Sequence, residues 1–305
     1  MQTSGNETGS GAAPTRRRRW RVAAGAGLAA VLACCGGGAY AVWHTGPGID
    51  RVESMPGVLT TTTEKVNGVQ SAIMSSHATT AQVAAVYGAI ARMRSEDHGG
   101  WTSYRLVDGP VHCPVSGTYL PSSTRVRQIA QTIHTLARVD VPQGTTIVPA
   151  LDSTEQVGVT TPRLGESMRV ATAVLRALSA DPFGYDGLSV RTQSQRTWFD
   201  HPPGPDSLFI DHQVPADQAL ATLGRLQTLQ RWHPTIRWSA QGHQPMQVVL
   251  HLTHISGTQQ AVAEARTATQ GHRAHLSIDV TGGPTFDAST TTAAKTLTRS
   301  VRAAH

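Results

Sequence analysis

The stretch VQSAIMSSHATTAQVAAVYGAIARMRSEDHGGWTSYRLV, residues 69–107, contains a complete strand–helix–strand unit. Val69–Ser75 alternates apolar with polar side chains, which is typical of a half-buried strand. Thr79 and Thr80 can then cap a helix, and Gly99-Gly100 can end it. The apolar residues that recur at helical spacing between them are Val83, Val86, Tyr87, Ile90 and Met93. Trp101–Val107 alternates again and predicts the returning strand.

The same unit recurs along the rest of the chain, which predicts an internal repeat. Helices are predicted to start near residues 80, 123, 162, 215 and 257. The intervals are roughly 40 to 50 residues, a spacing typical of one duplicated supersecondary unit. The first strands of the second to fifth units are predicted at Val115–Leu120, Gln156–Thr160, Leu208–His212 and Met246–Leu252. Their returning strands are predicted at Thr145–Val148, Leu188–Thr192, Thr235–Ser239 and Ala274–Val280.

These units predict an α+β fold. Two consecutive strand–helix–strand units form the split βαβ, or ferredoxin-like, arrangement, an antiparallel sheet with helices on one face. Alternating strands favour a sheet that is exposed on one face over a parallel sheet buried on both. Five units cannot pair evenly, so either one unit is incomplete or a strand at Val58–Val66 completes the first. The alternative is that such strand–helix–strand patterns arise by chance in any α+β protein.

A larger α+β domain is predicted over residues 51–199 and a smaller one over residues 207–282. The linker between them is residues 200–206, DHPPGPD, in which four of seven residues are Pro or Gly. Residues 283–305 are predicted to form a polar tail. At the other end, residues 1–21 are predicted to form a disordered basic leader, residues 22–43 an apolar segment and residues 44–50 a tether.

Residues 22–43 carry no charge and follow a cluster of arginines, a pattern typical of a membrane anchor whose basic end stays in the cytoplasm. The flanking residues are Arg16, Arg17, Arg18, Arg19 and Arg21 before the segment, with Trp43 as an interfacial anchor at its end. A spanning helix needs about 20 mainly apolar residues. The segment is long enough, although 8 of its residues are Ala and 5 are Gly.

Three interpretations of this segment stay open. It is a retained transmembrane helix, a lipoprotein signal, or a cleaved signal peptide. The second rests on Val31-Leu32-Ala33-Cys34, which looks like the bacterial lipobox and makes Cys34 the lipidation candidate. The first two both predict a protein held at the cytoplasmic membrane, with its N-terminus inside and its C-terminal region outside.

The net charge of +6 does not indicate a nucleic-acid partner. Residues 1–21 contribute +4, and the other residues together contribute only +2 without a basic run. Arginine replaces lysine almost throughout, since only Lys65 and Lys295 occur, and this bias suggests a high-GC, actinobacterial genome. Cys113 is the one cysteine after the anchor, so an internal disulfide is excluded and a small buried hydrophobic residue is predicted.

Histidines suggest a metal site, because five of the fourteen lie between His243 and His275. In the predicted strands, His251 and His275 lie opposite the apolar face and therefore point outward. If the two strands are neighbours, their rings can form at most a weak two-ligand metal site, since zinc sites use three or four ligands. Exposed sheet histidines are the simpler interpretation, and we predict no cofactor.

No catalytic motif is present. The sequence contains no nucleophile elbow, no Cys/His pair at a familiar spacing and no phosphate-binding glycine loop. The carboxylates fall mostly in predicted turns, and the tryptophans Trp101, Trp198, Trp232 and Trp238 are predicted to pack in or beside returning strands.

We therefore expect a non-enzymatic, membrane-anchored extracytoplasmic protein with a binding, scaffolding or envelope-structural role. Its expected partners are membrane lipid, through the N-terminal segment, and other envelope proteins, recruited by strand addition to an open sheet edge. Two alternatives stay open. One is an envelope hydrolase whose site is dispersed in sequence, and the other is a weak metal-binding protein. The ligand and the oligomeric state are not predicted.

Overall fold

The structure is a computed structural model. It describes residues 48–64, 67–96, 103–115, 120–150, 156–180, 187–192, 204–211, 213–239, 245–283 and 285–288. The predicted leader, the apolar segment with Cys34 and Trp43, all five flanking arginines and most of the polar tail lie outside these residues. Contacts divide the chain into two units. In the smaller one, the described residues Glu64, Asn67 and Gly68 contain a turn in which Gly68 N donates to Glu64 O at 2.9 Å.

The strands and helices that the structure describes lie in the larger unit. The first elements are α1 (Asp50–Glu53), β1 (Val58–Thr63), β2 (Gln70–Met74), α2 (Thr80–Glu96), β3 (Tyr104–Asp108), β4 (Val111–Val115), α3 (Ser123–Ala137) and β5 (Thr146–Ala150). Next come β6 (Gln156–Thr161), α4 (Ser167–Ser179), β7 (Gly187–Thr192), β8 (Ser207–Asp211), α5 (Ala216–Leu226), a 3-10 helix (Gln227–Trp232) and β9 (Thr235–Trp238). The last are β10 (Met246–Leu252), a 3-10 turn (Ile255–Gly257), α6 (Thr258–Ala268), β11 (Ala274–Val280) and β12 (Thr285–Asp287).

The twelve strands of the described chain form one sheet in which their spatial order is their order in sequence. The two strands of each strand–helix–strand unit are parallel neighbours, as in β2 with β3 and β10 with β11. Each unit is antiparallel to the next, as in β3 with β4 and β7 with β8. The edge strands β1 and β12 pair antiparallel with β2 and β11. The α+β class is thus confirmed, and the sheet is mixed.

The predicted ferredoxin-like arrangement is wrong, because its strand order differs from the order in this sheet. The predicted antiparallel pairing is also wrong within each unit, whose two strands are parallel. A split βαβ unit has another strand between its two parallel strands, whereas here those strands are adjacent. The alternating pattern was interpreted as evidence for antiparallel pairing, but it reports burial on one face and does not depend on strand direction.

One face of the sheet is buried under the helices. Consecutive helices from α2 to α6 contact one another and form a layer. In α2 the predicted stripe is buried, with Val83, Val86 and Ile90 fully inaccessible. Thr79 and Gln82 cap this helix reciprocally, because Thr79 N donates to Gln82 Oε1 (2.8 Å) and Gln82 N donates to Thr79 Oγ1 (3.3 Å).

Two predicted boundaries are wrong. The first strand of the second unit is Val111–Val115 rather than Val115–Leu120, and it contains Pro114. It pairs with β5 through Val111 and Ile147, near its start, so Pro114 is not needed as a donor to that strand. Helix α4 begins at Ser167 rather than at Pro162, because Gly165 has a φ of +86° that no helix accommodates.

The predicted linker does not interrupt the sheet. β7 pairs with β8 across it, with Leu188 opposite Ile210. The described residues from Val69 onward and residues 48–63 belong to one compact unit. The region predicted as two domains is therefore joined by continuous strand pairing.

Candidate functional site

The edge strand β1 is the first candidate site. It pairs with β2 on one side, with Thr61 opposite Ala72 and Thr63 opposite Gln70. On its other side no strand lies among the residues that the structure describes. An edge strand carries a row of backbone N–H and C=O groups that can pair with another chain.

The side chains of β1 do nothing to protect this edge. Natural edge strands are usually protected by charged residues, proline, a β-bulge or a very short length. VLTTTT has neither charge nor proline over six residues, and its one irregularity lies at its start, before Thr60–Thr63. Leu59 is 71% exposed, and an irregularity in register between Val58 and Thr60 displaces it from the ladder. The opposite edge differs, since β12 has three residues and ends in Asp287.

The start of β1 is held against the helical layer. Ile49 and Val52, at α1, are buried, and α1 contacts both β1 and α2. Gly57 has a φ of +90°, and a Cβ at this position would lie 3.0 Å from Gln82 Cβ. Its carbonyl accepts from Ser75 N at 2.8 Å. The turn before the edge strand is thus held by a hydrogen bond to Ser75, and a side chain at position 57 would collide with the glutamine that caps α2.

A second candidate is a hydrogen-bonded chain on the face of the sheet opposite the helices. His251 Nε2 lies 2.9 Å from Thr235 Oγ1, and His251 Nδ1 lies 3.2 Å from Asp279 Oδ2. The three residues come from β9, β10 and β11, and the register places His251 directly opposite Asp279. A hydroxyl, an imidazole and a carboxylate in this order have the connectivity of a catalytic triad, in which the imidazole accepts the hydroxyl proton and the carboxylate orients the ring.

The hydroxyl of Thr235 also lies within hydrogen-bond distance of the segment before β8. Thr235 Oγ1 and Ser207 Oγ each lie 2.7 Å from Gly204 O. With neutral His251, Ser207 can donate to this carbonyl while Thr235 donates to Nε2. With the imidazolium, Nε2 donates to Thr235 and the threonine proton turns to Gly204 O. These proton positions follow from the donors and acceptors present.

Burial decides which form of His251 dominates. Burial lowers the pKa of His251 below its ordinary value of 6.5, and the neighbouring charge of His233 adds to this effect. The hydrogen bond and the charge of Asp279 act in the opposite direction without outweighing burial. The neutral ring, with Nδ1–H toward Asp279, therefore presents Nε2 as an acceptor to Thr235.

The residues of this hydrogen-bonded set differ in their exposure to solvent. The side chain of Asp279 is 44% exposed and that of His251 is 20% exposed. Thr235 and Ser207 are buried, with the Gly204 carbonyl within hydrogen-bond distance of both hydroxyls. His251 Nε2 can take the proton of the Thr235 hydroxyl while Asp279 orients the ring, but this hydroxyl is itself buried.

The two predicted metal candidates do not converge. Their strands are neighbours, as the hypothesis required, but His251 lies opposite Asp279 whereas His275 lies opposite Gln247. This offset of four residues separates them by roughly 13 Å along the strand. His275 Nε2 lies instead 3.9 Å from Asp287 Oδ1. Within the described ranges, no group of three or more His, Cys, Asp or Glu side chains could hold a metal ion.

Cys113 is fully buried in β4, as predicted, with its Sγ 3.8 Å from Pro149 O. Trp238 is also buried and stacks edge-on against His272 with a centroid distance of 5.2 Å. Trp232 donates to Glu264 at 2.8 Å, which ties the 3-10 helix to α6. Trp101 and Trp198 lie outside the described residues. Among the described residues, no helix combines the length and the apolar content needed to cross a bilayer.

Sequence reasoning missed Thr235 and Asp279 as neighbours of His251. All three alternate against an apolar face, so their common outward face could have been predicted. Their alignment along the strands depends on the register, which no local pattern specifies.

Comparison with protein-family models, with curated proteins and with solved structures found no match to this chain.

Proposed function

We propose that this protein is a non-enzymatic, membrane-anchored extracytoplasmic binding protein that accepts an extended segment of a partner at β1. The observation that carries this proposal is the uncharged, proline-free edge strand VLTTTT at the end of a twelve-stranded sheet. Strand addition uses backbone hydrogen bonds for affinity, and alternate side chains of the added strand for specificity.

The two edges of the sheet differ in their suitability for this role. Threonine and valine favour extended backbone, so β1 is already in the conformation that an added strand needs. The short β12 offers fewer backbone groups, and the exposed carboxylate of Asp287 opposes pairing with acidic segments. We therefore assign binding to β1.

Anchoring is proposed from the sequence of residues 16–43, with membrane lipid as the first partner. Helix α1 and strand β1 are the first described elements, and α1 begins at Asp50, the last residue of the proposed tether, so the binding edge lies close in sequence to the proposed membrane segment. Other envelope proteins are the class of partner that such a position would meet. We also propose that the five units arose by duplication of one strand–helix–strand unit.

Hydrogen exchange on the full chain in detergent micelles tests binding at β1. The probe is a six-residue peptide of alternating threonine and valine, and the control peptide has proline at its two central positions. We expect the first peptide to slow amide exchange in Val58–Thr63 and to leave Thr285–Asp287 unchanged, because only β1 offers a long, uncharged edge. Equal exchange with both peptides, or slowing confined to β12, would contradict the proposal.

A hydrolase is the second candidate, favoured by the geometry of Thr235, His251 and Asp279. Its Thr235 hydroxyl would attack an acyl carbon while His251 Nε2 takes the proton and later returns it to the leaving group. Hydrolysis of short-chain nitrophenyl esters by the full chain tests it. Activity lost in both Thr235→Val and His251→Ala, but kept in His275→Ala, would support this candidate. Activity equal to that of buffer would exclude it for these esters.

A further inference from the structure

We infer that the segment bound at the β1 edge is β1 of a second copy of this chain, so that the protein pairs antiparallel with itself about a twofold axis. This inference rests on the proposed function of the β1 edge and specifies its partner. The two sheets would then continue into one another across the edge strands, and each copy would supply and accept the same backbone groups.

The sequence of β1 suits self-pairing. Its last four residues, Thr60–Thr63, are identical, so antiparallel copies place threonine opposite threonine in several registers. Cross-strand threonine pairs are favourable in antiparallel sheets. A charged edge would bring like charges together when it meets its own copy, and β1 carries no charge that could do so.

The exposure of the strand also fits a partner of its own kind. Thr62 and Thr63 are exposed, and Leu59 is 71% exposed although it is a large apolar residue. In an antiparallel pair, residues near the start of one strand meet residues near the end of the other. Leu59 of each copy would then be covered by the threonine-rich end of its partner.

The edge strand β12 explains why the proposed association would stop at two copies. A β1 edge that paired with β12 of the next molecule would extend without limit, since that contact is head-to-tail. The three residues of β12 give little backbone for such a contact, and Asp287 places a carboxylate there with its side chain 58% exposed. Pairing of β1 with β1 leaves no second β1 edge and is closed.

Anchoring would strengthen the contact. Two copies held in the same membrane meet at a higher effective concentration than two copies in free solution. An edge that pairs only moderately in solution would therefore pair efficiently at a membrane surface.

A charge-exchange experiment on the full chain in detergent micelles tests this inference. Thr62→Lys and Thr62→Glu are the two variants, and Thr285→Lys, an exposed residue of β12, is the matched control. Mass photometry or sedimentation gives the number of copies per particle. We expect two copies in the wild type and in Thr285→Lys. Each Thr62 variant alone should dissociate with a constant raised roughly fivefold or more. With Leu59 opposite Thr63, Thr61 lies opposite its own copy and the two like charges at position 62 become diagonal neighbours on one face of the sheet.

Mixing is the decisive step. Thr62→Lys and Thr62→Glu, distinguished by a mass tag, should restore a dimer that contains one copy of each. A wild type with a single copy at all concentrations would overturn the inference. So would dimers that neither Thr62 variant weakens, or a mixture that does not pair. If peptide binding still slows exchange in Val58–Thr63 in those cases, binding at the edge stands and only the self-partner is wrong. Thermal unfolding of each variant verifies that it is folded.

Discussion

The carboxylate of Asp206 accepts a hydrogen bond from the side chain of Ser167, the first residue of helix α4, although it lies outside that helix. Its Oδ1 accepts from Ser167 Oγ at 2.6 Å, and its Oδ2 accepts from Gly165 N at 2.8 Å, although Asp206 lies 39 residues after Ser167. Gln230 Nε2 also donates to Asp206, while Gln230 Oε1 accepts from Met168 N at 3.0 Å. The start of the fourth unit thus fixes the helix of the third.

Asp206→Asn should destabilise the fold. An asparagine retains the left-handed backbone that this residue adopts, at a φ of +59°, but its amide nitrogen cannot accept the hydrogen bonds that one carboxylate oxygen accepts. Donors left unpaired in the interior cost about 1–3 kcal/mol each, so we expect a loss of about 2–4 kcal/mol in the free energy of unfolding. Urea denaturation measures it. Asp217→Asn, at an exposed position of α5, is the control and should change little.

Gly57→Ala should loosen the edge strand. The φ of +90° disfavours any side chain, and the new Cβ would lie 3.0 Å from Gln82 Cβ. Such strain costs about 1–3 kcal/mol, and we expect faster amide exchange in β1 than elsewhere. Gly224→Ala in α5 is the control, because no neighbouring atom lies within 4 Å of its Cβ, and alanine stabilises a helix by about 1 kcal/mol. Equal loss of stability in both variants would contradict the role of Gly57.

Protonation of His251 should destabilise the fold in acid. Because burial lowers its pKa in the folded protein, the unfolded chain binds this proton more readily. Its contribution is therefore fully present above the ordinary pKa of 6.5 and is lost as the pH falls through that value toward the lower pKa of the folded state.

His251→Gln should flatten this dependence. Unfolding by urea at several pH values between 5 and 8 gives the slope of stability against pH for the variant and for the wild type. His134 and His272 also have pKa values that burial lowers, so part of the slope will persist. His275→Gln, half-exposed on β11, is the matched control. An unchanged slope in His251→Gln would show that this ring has the same pKa in the folded and the unfolded protein.

Proteins fused at the C-terminus should be located outside the cytoplasm. An alkaline phosphatase fusion, which is active only after export, is expected to be active, whereas a fluorescent protein that matures only inside should stay dark. Mass spectrometry of the N-terminal peptide then tests the lipoprotein interpretation of residues 22–43, because an intact Ala33-Cys34 bond excludes lipoprotein maturation. Activity confined to the cytoplasm would contradict the proposed orientation.

Local patterns predicted the elements of this fold well. The fifth unit has its strands at Met246–Leu252 and Ala274–Val280, as predicted, because their apolar faces alternate without interruption. The cap of α2 at Thr79 was also predicted, because capping depends on residues that are close in sequence. The start of α4 was missed because the left-handed turn at Gly165 before it is held by Asp206, which lies far along the chain.

Pairing between strands was much less predictable. Alternation shows that a strand has one buried face, but it does not specify whether its neighbour runs parallel or antiparallel. The relation of His251 to Asp279 depends on that direction and on the register, and both are set by the helices that connect the strands. The hypothesis of a site at His251 and His275 failed for this reason, since a shift of four residues is invisible in the sequence of either strand.

The agreement between spatial and chain order has a consequence for how the protein gains stability. Each strand–helix–strand unit contacts mainly the units before and after it. The free energy of unfolding is then approximately a sum of the contributions of single units and of the interfaces between neighbouring units. Such an array of units can lengthen or shorten by whole modules during evolution without redesign of the rest, and it can begin to fold at whichever module is most stable.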